Sequence, residues 1–279
     1  MILITGGRGA VAVHLTALLH EAGLPVRVGS ADPDALTPPA GVATVRLDLT
    51  DPATFPAALA GADSVFLYAS PAGADDFVRH AERAGVGHIV LLSSTSVLGP
   101  DPENNVVAAS HLAVERALLA SPVTTTILRP GAFASNARGW AWAVKAGRPV
   151  SLPFPGAHTD PIHEQDIAEA AFAVLTEPRH HGGRFTLTGP ESLTFAQQID
   201  RLAAVTGRPI TINHVTGEEW KREVTDFIPA AYADALLNWW ESHDGRPAPL
   251  TTTVEDLTGR PARPFTTWAT DHSADFTTA

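Results

Sequence analysis

The sequence predicts an α/β protein: a doubly wound parallel sheet with helices on both faces, followed by a smaller C-terminal α+β region. Three observations carry this. Short apolar runs alternate with helically spaced ones up to Pro130, the rhythm of a parallel sheet. A glycine cluster stands between the first apolar run and the first helical one. After Pro130 the rhythm breaks, and tryptophans, phenylalanines and prolines take over.

The elements follow in order. Ile2–Thr5 is an apolar strand. Val11, Leu15, Leu18 and Leu19 recur at helical spacing in Val11–Ala22, and Gly23 is a C-terminal stop. Further strands are expected at Val26–Val28, Val42–Leu47, Ser64–Tyr68, His88–Leu92 and Thr124–Leu128. Helices intervene at Pro52–Leu59, at Asp75–Ala84 before Gly85, and at Ser110–Leu119. Beyond Pro130, helices are expected at Asp166–Leu175, Thr194–Thr206 and Tyr232–Trp240, and strands at Arg184–Thr188 and Pro209–Val215. The tail is rich in Thr, Pro and polar residues, and its last few residues are expected to be mobile.

Composition narrows the function. A chain of 279 residues, 44% hydrophobic, can bury the core of one large domain or one and a half. A net charge of -11 argues against nucleic acid and anionic membrane as partners. It leaves room for a phosphate ligand held by backbone N–H groups. With no cysteine, disulfides, thiolate nucleophiles and zinc–sulfur sites are excluded. The 12 histidines do not group as metal ligands: His180 and His181 are adjacent, and His158 and His163 lie in a Pro/Gly-rich segment. No metal is expected. The chain opens on an apolar strand with no charged leader, and no apolar run is long enough to span a membrane, so a cytoplasmic protein is expected.

The stretch "ILITGGRGAVAVHLTALLHEAG" carries the first chemistry. Two frames fit a dinucleotide fingerprint, Gly7-x-Gly9-x-x-Ala12 and Gly6-x-x-Gly9-x-x-Ala12. Glycines let the chain turn and a pyrophosphate approach the backbone, and Ala12 lets the helix pack close to the strand. Gly6, Gly7, Arg8, Gly9, Ala10 and Val11 are therefore expected around the phosphates. Asp48 and Leu49 follow the third strand, where an acid can reach an adenine amino group. Ala69, Ser70 and Pro71 follow the fourth, Ser93 and Ser94 the fifth, and Pro130 the sixth. These are the carboxyl ends of strands, where such ligands lie.

At this point the chain resembles a known family. "ITGGRGAVA", "VRLDLTDPATFPAALAGADSVFL", "AERAGVGHIVLLSS", "HLAVERALLAS" and "TILRPGAF" are similar to the NmrA-like group of atypical short-chain dehydrogenases. So are "FTLTGPESLTFAQQIDRLAAVTGRPI" and "VEDLTGRPARPF". The likeness covers nearly the whole chain. It implies a Rossmann-type core over residues 1–132, a mainly substrate-binding region over 133–279, and NAD(P) as cofactor. It also implies that segments at about 158–190 return to the core sheet, with Asp166 as the N-cap of its helix.

An NAD enzyme usually ends its second strand with an acid that binds the ribose hydroxyls. Here that strand runs Val28-Gly29-Ser30-Ala31, and no acid appears before Asp32. The resemblance implies an arginine at Ala31, which is missing. Arg8 is a substitute contact for a 2′-phosphate, with Ser30 as a further donor; its bland alternative is a solvated loop arginine. NADP(H) is preferred over NAD(H).

The Tyr-x-x-x-Lys pair of typical short-chain dehydrogenases is absent. Ala72 and Leu236 lie four residues after the two tyrosines, Tyr68 and Tyr232. The resemblance puts His111-x-x-x-Glu115 in its place. Four-residue spacing sets both side chains on one helix face, and a neighbouring carboxylate favours the imidazolium form. His111 is thus either a proton donor or a residue that positions ribose or helix. Ser94 either polarises a carbonyl or caps a turn. Phe133, Trp140, Trp142, Phe154 and Trp239 are candidate walls of an apolar, flat pocket, with Trp240 beside them; at least one tryptophan of each close pair is core.

Two classes stay open. One is a reductase that passes hydride to a quinone or other aromatic or conjugated carbonyl. The other is a non-catalytic redox sensor that binds NAD(P) and acts through a protein partner. A small apolar aromatic substrate and a monomer or homodimer complete the expectation.

Overall fold

A computed structural model describes residues 1–277. The expectation of a mobile chain end falls partly on residues 278 and 279, which lie outside the described residues; Phe276, just before them, is fully buried. The chain divides into two compact units. The first comprises Met1–Pro130, Glu164–Leu187 and Thr253–Arg260; the second comprises Gly131–His163, Thr188–Thr252 and the chain from Pro261 on. The break thus falls after Pro130, and residues 158–163 and 188–190 belong to the second unit.

The first unit begins with β1 (Ile2–Ile4), α1 (Ala10–Glu21), β2 (Val26–Ser30), β3 (Ala43–Arg46), α2 (Phe55–Leu59), β4 (Ser64–Tyr68), α3 (Ala74–Ala84), β5 (His88–Leu92), α4 (Val106–Leu119) and β6 (Thr124–Pro130). All strands are parallel. The helix α4 starts one turn earlier than its spacing suggested, because Asn105 caps it: its Oδ1 accepts from the N–H groups of Val107 and Ala108. In the second unit follow α5 (Ala141–Lys145), β7 (Val150–Leu152) and β8 (His158–Thr159). The chain then supplies α6 (Glu164–Thr176) and β9 (Arg184–Leu187) to the first unit. Asp166 is not the N-cap: the helix starts at Glu164, and Asp166 sits fully buried in its first turn.

β9 pairs parallel with β6, giving seven strands in the order β3-β2-β1-β4-β5-β6-β9. The chain winds outward from β1 in both directions, so the loops after neighbouring strands diverge at the carboxyl edge. One face of the sheet packs under α2, α3 and α4, around Phe55, Leu67, Phe77, Leu91 and Val114. The helices α1 and α6 pack on each other; α6 also contacts β4, β5 and β6.

The second unit continues with β10 (Leu193–Thr194), α7 (Phe195–Thr206), β11 (Ile212–His214), α8 (Gly217–Val224) and α9 (Ala230–Ser242). After α10 (Thr253–Thr258), which belongs to the first unit, it closes with α11 (Phe265–Asp271). Two small sheets, β8 with β10 and β7 with β11, accompany these helices. The polar tail hides a core stripe. Phe265, Trp268 and Ala269 recur at helical spacing and are buried with Phe276, Ile199 and Leu202.

At the amino end of β5 lies a histidine pair. His88 is buried, shares a 2.8 Å hydrogen bond with Thr126 Oγ1, and packs against His181 with ring centres 3.8 Å apart. Burial, helped by repulsion from His181, pushes the His88 pKa down to about 4. The unfolded chain takes up that proton near the ordinary value of 6.5 and the folded chain only near 4. Stability is therefore expected to fall as pH drops through that window. Urea melts across it should show His88→Gln with a flatter pH dependence than the parent; equal slopes would exclude His88 as the cause.

Candidate active site

The site begins with the turn after β1. Gly6 takes φ of +64°, a backbone conformation that L side chains rarely adopt, and Gly9 forms the N-cap of α1. These are the glycines of the Gly6-x-x-Gly9-x-x-Ala12 frame, and Ala12 is buried under the helix. Gly7 lies against β2: its N–H donates to Gly29 O at 3.0 Å, and a Cβ there would fall 2.3 Å from Val28 Cγ1. No side chain caps the first turn of α1. Its N–H groups at Ala10 and Val11 thus have no side-chain partner among the described residues, and the helix dipole behind them favours an anion there. A cradle that admits no side chain and ends in free N–H groups fits a dinucleotide diphosphate. Arg8 is exposed at the tip of this loop.

The neighbouring strand ends surround that loop. Ser30 is buried at the end of β2, and its Oγ accepts from Asp32 N at 3.2 Å. Asp48 Oδ1 accepts from Thr50 N and Thr50 Oγ1, at 2.9 and 2.7 Å. Those two bonds hold the carboxyl below its ordinary pKa. Leu49 is buried beside it, while Ala69 and Ser70 are half-buried and Pro71 exposed after β4. Tyr68 was not anticipated: its ring lies on Gly6, with Cδ1 2.6 Å from where a Cβ would stand.

Past β5 the structure corrects an expectation. Glu115 is not a free partner for His111. Its Oε1 accepts from Ser93 Oγ at 2.6 Å and from Arg129 Nε at 2.9 Å, and its Oε2 from Arg129 Nη2 at 2.5 Å. Burial pushes its pKa up, but the bonds from Arg129 and Ser93 and the charges of Arg129 and Arg184 outweigh this, and the carboxyl stays below its ordinary value. At His111 burial dominates the attraction of Glu115, so the imidazole pKa is lowered. The surroundings favour neutral imidazole, not the imidazolium expected from spacing alone. His111 Nδ1 is buried with no hydrogen-bond partner among the described residues. Ser94 is half-buried, and its Oγ accepts from Ser96 N at 3.1 Å, so it caps the turn of Thr95–Leu98 and keeps its own hydrogen to donate. Pro130 ends β6 and is buried.

The five aromatic candidates do not stack on one another among the described residues. Trp140 packs edge-on against Phe195, 5.8 Å between centres, and Phe154 leans on the same core. Trp142 is 68% exposed, with Arg148 5.0 Å above its ring. Trp239 stacks on His243, while Trp240 packs on Phe195 and Trp220. Phe133 is half-buried and bridges to Ile162. Of these six, Trp240 and Trp140 belong most clearly to packing. The turn before Phe133 is held by Asp160, whose carboxyl accepts from Ala132 N at 3.0 Å and whose pKa burial pushes up to about 6. Among the described residues no helix is long and apolar enough to cross a membrane.

A parallel sheet of this order, with a glycine turn feeding a helix N-terminus at its first strand, defines a Rossmann-type NAD(P)-binding protein. Residues 6–178 match the NAD(P)H-binding family model, and the chain belongs to that family. A (4-alkanoyl-5-oxo-2,5-dihydrofuran-3-yl)methyl phosphate reductase from Streptomyces griseus is 34% identical over 99% of both chains. An NAD(P)H azoreductase from Xenophilus azovorans is 32% identical, again over 99% of both. An NADPH-dependent quinone oxidoreductase from Escherichia coli, solved with NADPH, shares the fold with a TM-score of 0.82; it is 22% identical and matches over 97% of this chain and 99% of its own. These relatives fit the NmrA-like resemblance. The protein is an NAD(P)H-dependent reductase, and of the two classes open from sequence the enzyme is the one they support.

Proposed function

We propose that the protein uses NADPH to reduce a conjugated electrophile: a quinone, or an aromatic or otherwise conjugated carbonyl compound. When bound, the nicotinamide supplies the hydride. The loop Gly6–Val11 holds the diphosphate through backbone N–H groups. Asp48 accepts from the adenine amino group, and Leu49, Ala69, Ser70, Pro71, Ser93 and Pro130 line the same strand edge. Arg8 and Ser30 meet the 2′-phosphate. Ser94 donates to the carbonyl oxygen, and His111 delivers the proton.

The observation that carries this reading is His111, whose buried surroundings lower its pKa and leave Nδ1 unpartnered. With its pKa lowered, the imidazolium gives up its proton readily but is scarce at pH 7. It suits an acceptor that takes hydride first and spreads the resulting charge, and it serves a plain ketone poorly. The absence of a Tyr-x-x-x-Lys pair points the same way. The relative from Streptomyces griseus is named for a ring whose C=C is conjugated to two carbonyls, and the other named relative reduces an azo group.

The test is NADPH oxidation, followed at the nicotinamide absorbance, against a quinone, an acyl dihydrofuranone, an azo dye and cyclohexanone. Turnover is expected with conjugated acceptors and not with cyclohexanone. No turnover with any conjugated acceptor, or equal turnover of the plain ketone, would sink the reading.

A further inference from the structure

β1, β2 and β3 lie side by side, so a dinucleotide on the phosphate loop that ran along this edge of the sheet would meet the last residues of β2 and β3. The pairing of these two strands sets Ser30 beside Arg46. Partners in register project to the same face, and residues two apart share it. Ser30 and Arg46 therefore face the same way as Val28, which packs against Gly7. The opposite face is identified independently: Leu47 covers Gly29, and Arg27 gives its guanidinium to the carbonyls of Ala58 and Ala60, at 3.1 and 2.8 Å. Arg46 thus stands on the side of the phosphate loop, with Arg8 on the loop itself.

Both arginines are exposed, and neither makes an ion pair among the described residues. In a chain of net charge -11, two unpaired arginines flanking one hydroxyl at one strand edge form a local cationic patch. The acid at the end of β2 is Asp32, which is exposed and whose N–H donates to Ser30 Oγ; among the described residues its carboxylate pairs with neither arginine. Asp48 feels the charge of Arg46, though less than its bonds to Thr50, which already occupy Oδ1. The patch therefore suits a dianion on the ligand. A ribose hydroxyl would gain little from it, whereas a phosphate matches the planar fork of a guanidinium.

We propose that Arg46 completes the subsite for the 2′-phosphate of the cofactor's adenosine ribose, with Arg8 and Ser30, and that it sets the preference for NADP(H) over NAD(H). This rests on the NADP(H) reading above, in which only Arg8 and Ser30 were assigned. Sequence spacing gave no sign of it, because Arg46 meets Ser30 only through the register of the edge strand.

Calorimetric titration with adenosine 2′,5′-bisphosphate and with adenosine 5′-monophosphate tests it, since the two differ only in the 2′-phosphate. The parent protein should favour the bisphosphate by about tenfold or more. Arg46→Ala should lose most of that ratio while binding the monophosphate within about twofold of the parent, and Arg46→Lys should keep part of it. Thermal melts of the variants should match the parent, as Arg46 is an exposed edge residue. A parent preference that survives Arg46→Ala intact would overturn the role of Arg46 and leave the NADP(H) reading standing. A parent with no preference would overturn both.

Discussion

Glu115→Ala is expected to destabilise the protein by about 3–5 kcal/mol, the range for removing one partner of a buried ion pair. The side chain of Glu115 is 3% exposed and that of Arg129 14%. Both Arg129 bonds converge on the one carboxylate, and Ser93 donates to it as well. Alanine would leave a largely buried guanidinium without its counter-charge and a buried hydroxyl without its acceptor. The effect spreads because the three residues sit on three elements: Ser93 follows β5, Glu115 is on α4 and Arg129 on β6. Glu115→Gln keeps the shape and one acceptor and should cost clearly less. The double variant Glu115→Leu with Arg129→Met should recover much of the loss, since it removes both charges together. Urea unfolding of the parent, Glu115→Leu, Arg129→Met and the double variant provides the cycle, with Glu115→Ala and Glu115→Gln beside it. A loss under about 1 kcal/mol for Glu115→Ala would place the pair among weakly coupled surface contacts.

That pair also shows where the sequence was legible. The parallel sheet could be read because its signals are local: apolar runs, glycine stops and a turn at Gly6 that needs a positive φ. The phosphate loop could be read for the same reason. The partners of Glu115 could not, because Arg129 lies 14 residues away and Ser93 22, joined only by strand order. Spacing alone therefore gave Glu115 to His111, its neighbour one helical turn away. The tryptophans failed differently. Aromatic residues suit both a core and a pocket, and composition does not separate Trp268, fully buried, from Trp142, which is largely exposed. The helices α8 and α11 were missed because polar residues surround their few apolar ones. Even so, Thr216 and Glu219 form a capping box that announced α8.

His111→Ala is expected to lower kcat by about 100-fold, the lower end of what a positioned proton donor contributes. NADPH affinity should change little, because the loop Gly6–Val11 is untouched. The pH dependence is the sharper test. Burial lowers the folded pKa of His111 below the ordinary 6.5, so at pH 7 most molecules carry the neutral form. If the imidazolium gives the proton, kcat should rise as pH falls from 8 towards 6, in step with the protonated fraction. The alanine variant should show a flat profile over the same range. Glu115 helps less than its spacing suggests, since its charge is shared with Arg129 and Ser93. His111→Asn separates the two remaining roles. It keeps a hydrogen-bonding group on α4 but cannot exchange a proton near neutral pH. Loss of kcat in both variants with KM and NADPH affinity held would fix His111 as the donor. Weaker NADPH binding in alanine, restored by asparagine, with kcat unchanged, would instead make it a group that positions the cofactor.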